Sequence, residues 1–320
     1  MLPTVVDVYQ ARRRIGGRIL RTPLQPSSWL SSVTGGHAHL KIESANLTGS
    51  FKIRGAMNAA LRLTDGTNSE TPTIVTASAG NHGRALAMAA EQLGLSCVVF
   101  APATAPDAKK NAIRRHGAML NAVYANYDTA EVEARAFAKA NNAVYVSPYN
   151  HRDVIAGAGT IGLEIVELLP MFDVAVVPLG GGGLASGVGL ALKAVAPQVR
   201  VVGVEVEAST PFTASLQAGH ITEITARTSL ADGLVGNLEP DSMTFSIVRQ
   251  VVDNVVTVSE EDLGRAMTGL ASEERLIVEG AGAASVAAIM TGKASTPGQR
   301  VVAVVTGGNV DLPKWLSVVG

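Results

Sequence analysis

The sequence has a single cysteine, Cys97, almost no net charge and no long charged tail. One cysteine excludes an intrachain disulfide, and its apolar setting, SCVVF, marks a buried thiol rather than a nucleophile. A formal charge of -1 supplies no field for holding nucleic acid or an anionic membrane, so the expected partners are small molecules and other subunits. The start, MLPTVVDVYQARRR, lacks the apolar segment of a signal peptide, and the cytoplasm is the expected compartment. One uncharged stretch, VAVVPLGGGGLASGVGLAL, has the length of a membrane span, but Pro178 and four successive glycines break it as a helix. It reads as strand, loop and helix. There is no G-x-x-x-x-G-K-[ST] loop for a nucleoside triphosphate. The six histidines show no zinc spacing, and His37 and His39 read as borders of an exposed turn.

What is present is a large apolar core: 47% of the 320 residues are hydrophobic against 17% charged, with 33 glycines, which argues against disorder. Short β-branched runs alternate with helical patterns: TIVTAS then NHGRALAMAAEQLG, CVVFAP then DAKKNAIRRHGA, VAVVPL then ASGVGLALKAVA. That alternation predicts an α/β fold with parallel sheets covered by helices. Thr4 with Asp7, and Ser259 with Asp262, form capping boxes that mark helix starts. The polar stretch at 64–73 and SPYNHRD at 147–153 are the best boundaries. They divide the chain into a large domain, residues 1–63 and 151–320, and a small α/β domain inserted at 64–150. Two lobes joined twice leave a cleft for a ligand.

Three glycine sites and one lysine carry candidate chemistry. GGGG at 180–183, between a strand and a helix, offers free backbone N–H groups and a helix dipole to a phosphate; as a mere turn it would carry a large entropic cost. Gly180, Gly182 and Ala185 also fit the loose dinucleotide pattern, with Glu205 as a ribose carboxylate, so a nicotinamide-dependent oxidoreductase stands as an alternative of another class. Ser78-Ala79-Gly80 ends a strand where Asn81 and His82 open a helix, a setting that suits a carboxylate or an ordinary helix cap. VVAVVTGGNVD places Thr306 at a third strand end. In TGSFKIRGA, Lys52 reads either as an outward lysine on a strand or as an amine held among small residues, where desolvation lowers its pKa as a Schiff-base lysine requires.

TGSFKIRGA, SAGNHG, GGGGL and TGGN in that order resemble the fold-type II pyridoxal-phosphate enzymes, specifically the threonine/serine dehydratase (ammonia-lyase) and serine racemase group. RTPL, VIAGAGTIGLEI and ADGL extend the resemblance over nearly the whole chain. It implies two parallel-sheet lobes with helices on both faces, like the tryptophan synthase β-subunit, and pyridoxal 5'-phosphate as cofactor. Lys52 matches the lysine that bonds the cofactor, and Phe51 the residue beside its ring. Asn81 matches the partner of the ring hydroxyl, and Thr306 the hydroxyl at the pyridine nitrogen. Gly180, Gly181, Gly182, Gly183 and Leu184 match the phosphate cradle. Ser78, Ala79, Gly80, Asn81 and His82 match the loop that receives the substrate carboxylate. The implied reaction is β-elimination from a 3-hydroxy amino acid of the L-threonine or L-serine type, giving a 2-oxo acid and ammonia. A dimer or tetramer is the common assembly of the family.

The chain departs from that pattern at several places. Racemases of the group carry a serine where this chain has Ala79, which argues for a dehydratase over an amino-acid racemase. Glu205 matches the first ligand of a divalent-cation site found in some relatives, but Pro211 stands where a later carboxylate is expected, so no metal is expected. Ala158 in AGAGTIG and the segment VGNLEPDSM after ADGL are expected to enlarge or re-polarise the pocket. A bulkier 3-hydroxy amino acid, such as one in hydroxyectoine catabolism, therefore stays open beside L-threonine and L-serine. With no regulatory domain after residue 320, the feedback-controlled form is not expected.

Overall fold

The computed structural model describes residues 1–64 and 72–320. Most of the expected boundary at 64–73 lies outside the described residues. The strands are β1 (Leu24–Ser27), β2 (His37–Ile42), β3 (Ile74–Ala77), β4 (Cys97–Pro102), β5 (Met119–Tyr124), β6 (Val144–Tyr145), β7 (Val174–Pro178), β8 (Arg200–Val206), β9 (Asn254–Val258) and β10 (Arg300–Val305). They form two sheets, ordered β1-β2-β10-β7-β8-β9 and β5-β4-β3-β6. Every pairing is parallel except that of β1 with β2. The predicted alternation of strand and helix is therefore the fold.

The larger sheet is buried on both faces, which is why its strands read as continuous Val/Ala runs. Val174, Val176, Val202 and Val204 point into one core with the helices Glu260–Ser272 and Gly280–Met290. Their neighbours Ala175, Val177 and Val201 point into the other, with the helices Arg152–Leu168 and Gly183–Val195. The smaller sheet is split in the same way: Ile74 and Val99 face one cluster, Val75, Val98 and Phe100 the other. The helix Lys52–Thr64 places Ile53, Ala56 and Met57 in the core shared with Ile74 and Val99.

Glycines in one helix set the spacing of the site. A Cβ on Gly157 would lie 2.5 Å from Arg54 O, and one on Gly159 2.8 Å from Gly187 O. Arg152–Leu168 thus lies tight between the helix that Lys52 begins and the helix that follows GGGG. Any side chain at these positions would push the two apart.

Several local expectations are corrected. Lys52 begins a helix rather than lying on a strand, because AMNAALRL continues the segment at helical period. His37 and His39 sit in β2, the first exposed and the second half-buried, paired with β10 rather than bordering a turn. Ala158 is 1% exposed and belongs to the apolar core beneath the Gly183–Val195 helix, so it does not shape an open pocket. Cys97 is buried in β4, and burial pushes its thiol up to about 12, as expected of an unreactive cysteine. Both capping boxes form: Asp7 accepts from Thr4 N at 2.8 Å, and Ser259 and Asp262 bond reciprocally at 3.1 Å. The long uncharged stretch is strand, loop and helix, and no helix among the described residues is long and apolar enough to cross a membrane.

Candidate active site

Three of the four motifs meet through hydrogen bonds, and the glycine loop joins them by packing. Phe51 N donates to Thr306 O at 3.0 Å, and Gly308 N to Gly49 O at 2.9 Å, which ties TGSFK to TGGN. Asn309 Nδ2 donates to Thr48 O at 2.8 Å and to Asn81 Oδ1 at 2.7 Å, which brings in SAGNHG. Lys52 Nζ donates to Pro148 O at 2.8 Å, and the next residue, Tyr149, lays its ring against the glycine loop.

The glycine run is required by what packs behind it. A Cβ on Gly181 would lie 2.4 Å from the Tyr149 ring, and one on Gly182, whose φ is +84°, 2.5 Å from Phe212. Leu184 is buried in the first turn of the helix that follows. Among the described residues, no backbone N–H from 180 to 185 has an acceptor; the first bonded one is Ser186 N, which donates to Gly182 O. Successive free donors at a helix N-terminus fit a phosphate.

The second loop repeats the device. Ser78 N is used by Phe100 O and Gly80 N by Ser78 Oγ, whereas the N–H groups of Ala79, Asn81, His82 and Gly83 have no acceptor among the described residues. The His82 side chain is turned into the protein, its Nε2 3.2 Å from Val146 O. Burial, then the charge of Lys52, push this imidazole down to about 3, so it stays neutral. Both ends of the Asn81 amide have partners within the protein: Nδ2 donates to Glu279 Oε1 at 2.7 Å and Oδ1 accepts from Asn309 Nδ2 at 2.7 Å.

Lys52 and Glu279 are the perturbed pair. Desolvation lowers the Lys52 amine to about 8, with the Glu279 charge opposing only in part. Desolvation, reinforced by the charge of Asp232, raises Glu279 to about 7. Lys52 Nζ also lies 5.0 Å from the centroid of the Phe51 ring. Two residues on, Arg54 is fully buried and bonded to both Glu43 and Glu164 at 2.6–2.9 Å, with Lys41 Nζ 2.6 Å from Glu164 Oε2. Burial alone would lower this guanidinium; the two carboxylates overcome it and hold it far above its ordinary value.

Glu205 serves the fold rather than a ribose or a cation. It is fully buried and accepts from Phe212 N at 2.7 Å, Thr213 N at 3.0 Å and Thr213 Oγ1 at 2.5 Å, holding the N-terminus of the helix Pro211–Ala218. Among the described residues, no group of three His, Cys, Asp or Glu side chains is placed to hold a metal.

Sequence reasoning did not single out Glu279, Pro148, Tyr149 or Asn309. Asn309 lies in the TGGN motif and Pro148 and Tyr149 in the SPYNHRD boundary without a role being read for them, and Glu279 left a trace as a lone acid in the apolar run LIVEGAGAAS.

A desolvated amine and two sets of free N–H groups fit pyridoxal phosphate: the amine suits its aldehyde, the glycine loop its phosphate. The family model of pyridoxal-phosphate dependent enzymes matches residues 15–307. The chain is 40% identical over 309 residues to an L-threonine ammonia-lyase of Thermotoga maritima, a match covering 97% of this chain and 76% of that one. Its structure is similar to that of maize serine racemase, with a TM-score of 0.92, 32% identity and coverage of 99% and 97% of the two chains. It is likewise similar to a threonine deaminase from T.th., with a TM-score of 0.87, 36% identity and coverage of 97% and 99%. The oxidoreductase alternative falls with these findings, and the chain belongs to the fold-type II pyridoxal-phosphate dependent enzymes.

Proposed function

We propose that the protein is an ammonia-lyase that removes water from L-threonine or L-serine by β-elimination and yields a 2-oxo acid and ammonia. The observation that carries this reading is Lys52, an amine of pKa about 8 that begins a helix and is tied to the loops that face it. Residues 1–63 and 151–320 would form the larger unit and 64–150 the smaller, with the cleft between them. The relatives support the chemistry, being threonine ammonia-lyases and deaminases over nearly the whole chain.

Bound pyridoxal phosphate supplies an electron sink beside the substrate Cα. The N–H groups of Gly180, Gly181, Gly182, Gly183 and Leu184 hold its phosphate. Phe51 would lie beside its ring, Asn81 would partner the ring hydroxyl, and Thr306 would offer a neutral hydroxyl to the ring nitrogen. In the loop Ser78, Ala79, Gly80, Asn81 and His82, the free N–H groups of Ala79, Asn81 and His82 would hold the substrate carboxylate and so orient the Cα–H bond. With a pKa near 8, Lys52 has a neutral fraction at physiological pH and takes that proton as general base. Glu279 retains a proton on part of its population near neutrality, at a carboxyl that accepts from Asn81 Nδ2. The β-hydroxyl would leave as water by taking up one proton, which balances the one Lys52 removes from Cα, and the released dehydrated product would hydrolyse to 2-oxo acid and ammonia. Ala79 offers no hydroxyl for protonation from the opposite face, so racemisation is expected to be the minor activity.

The test is an absorbance spectrum of the protein with pyridoxal phosphate, for wild type and Lys52→Ala, with 2-oxo acid assayed on L-threonine, L-serine and larger 3-hydroxy amino acids. A Lys52-dependent cofactor band with keto acid from L-threonine or L-serine is expected. A band with keto acid only from a larger substrate would overturn the substrate assignment, and the absence of a Lys52-dependent band would overturn the site.

A further inference from the structure

The loop after the Asp232–Leu234 turn carries two acids: Asp241 is exposed, whereas the side chain of Glu239 is only 10% exposed although the loop lies at the surface. Its neighbour Leu238 is buried in the core with Leu184, which anchors the loop beneath the helix that follows the glycine run. Glu239 then meets a turn some ninety residues earlier in the chain. Its Oε1 accepts from Ser147 Oγ at 2.8 Å, and its Oε2 from Asn150 Nδ2 at 2.6 Å. Its backbone N donates to Tyr149 Oη at 2.9 Å. Asn150 Oδ1 accepts in return from Met243 N at 3.0 Å. On the outer side, Arg135 Nη2 donates to Oε2 at 2.8 Å from the helix Tyr127–Ala140.

Each residue of that turn has a consequence in the site. Pro148, between two residues tied to Glu239, presents the carbonyl that accepts from Lys52 Nζ, while the Tyr149 ring backs Gly181. We infer that Glu239 is a positioning residue: its carboxylate fixes the 147–150 turn, and through it both the Lys52 amine and the seat of the glycine loop. The carboxylate itself touches neither group. It acts because a turn held at both ends has one conformation, and a reactive amine must be held to a fraction of an ångström. This inference rests on the proposed function for the identity of the bound group.

The test measures the dissociation constant of pyridoxal phosphate and the induced circular dichroism per bound cofactor, in wild type, Glu239→Ala, Tyr149→Phe and Arg135→Ala. Glu239→Ala is expected to weaken cofactor binding about tenfold and to roughly halve the circular dichroism per bound cofactor, because the ring is held less rigidly. Of the contacts to Glu239, Arg135→Ala removes only the outer, half-exposed one, together with Arg135's own bonds to Glu131 on the same helix, and it is expected to stay within about twofold of wild type in both. Tyr149→Phe keeps the ring and loses one bond of the turn, so it falls between the two and carries the test if Glu239→Ala does not fold. Wild-type values in Glu239→Ala, or in Tyr149→Phe where that variant must serve, would overturn the positioning role. So would equal losses in Arg135→Ala, which would assign the effect to the contact with the 127–140 helix. Failure of the wild type to bind pyridoxal phosphate would overturn the reading of the site and this role with it.

Discussion

Lys52 and Arg54 are two cations two residues apart, and the protein treats them in opposite ways. Arg54 is buried with its charge answered on both sides, by Glu43 and Glu164, and Lys41 balances the second of these. Two acids and two bases make the cluster neutral, and its hydrogen bonds tie the start of the 52–64 helix to the end of β2 and to the 152–168 helix. Lys52 is desolvated and, among the described residues, its amine is hydrogen-bonded only to the Pro148 carbonyl and in salt-bridge contact with no carboxylate, the Glu279 charge acting from farther off. The loss of water pushes both cations down; the carboxylates of Glu43 and Glu164 reverse this at Arg54, while at Lys52 it prevails. Burial with a partner makes a cation structural; burial without one leaves an amine that gives up its proton near neutral pH.

That contrast breaks most sharply at Lys52 itself. Lys52→Ala is expected to lower turnover by about 10⁴-fold while the unfolding free energy in urea stays within about 1 kcal/mol of wild type. A variant that keeps its turnover, or that loses activity only because it unfolds, would remove Lys52 from the chemistry. The reciprocal experiment is Arg54→Met, which leaves the buried Glu43 carboxylate without a cation and Glu164 with Lys41 alone. It is expected to cost about 3–5 kcal/mol in the same titration. A loss below about 1 kcal/mol would mean that the cluster does not hold the helix in place.

How much of this was legible in the sequence follows from distance along the chain. Lys52, the loop at 180–184 and the loop at 78–82 could be read because each is a short local pattern of glycines, small polar residues and a helix start. The acids could not. Arg54 meets Glu164 across 110 positions, Asn81 meets Glu279 across 198, and Ser147 meets Glu239 across 92, and one sequence carries no pairing signal over such spans. Local context gave only a hint: Glu164 lies in the apolar run GTIGLEIV, as Glu279 lies in LIVEGAGAAS. A lone acid inside an apolar helix needs a partner, but nothing local names it. The strand reading of Lys52 failed for a related reason. FKIRGA alternates at period two over six residues, and only the following turns show the helical period.

The smallest effect sharpens the comparison from the acid side, because Glu279 faces the opposite problem to Glu43. Its carboxyl is raised to about 7 from an ordinary 4.5, so the native state holds this proton more tightly than the unfolded chain does. The stability tied to that proton is fully present below about pH 4.5 and is lost as the pH rises through about 7. Glutamine cannot ionise. The stability of Glu279→Gln relative to wild type should therefore increase across this window and level off above it, by about 1–2 kcal/mol once partial exposure is allowed for. Urea titrations at about pH 4.5, 6 and 8 measure the difference directly. A gap that is constant with pH would mean that Glu279 ionises at its ordinary value, and that its bond to Asn81, rather than a retained proton, is what it brings to the site.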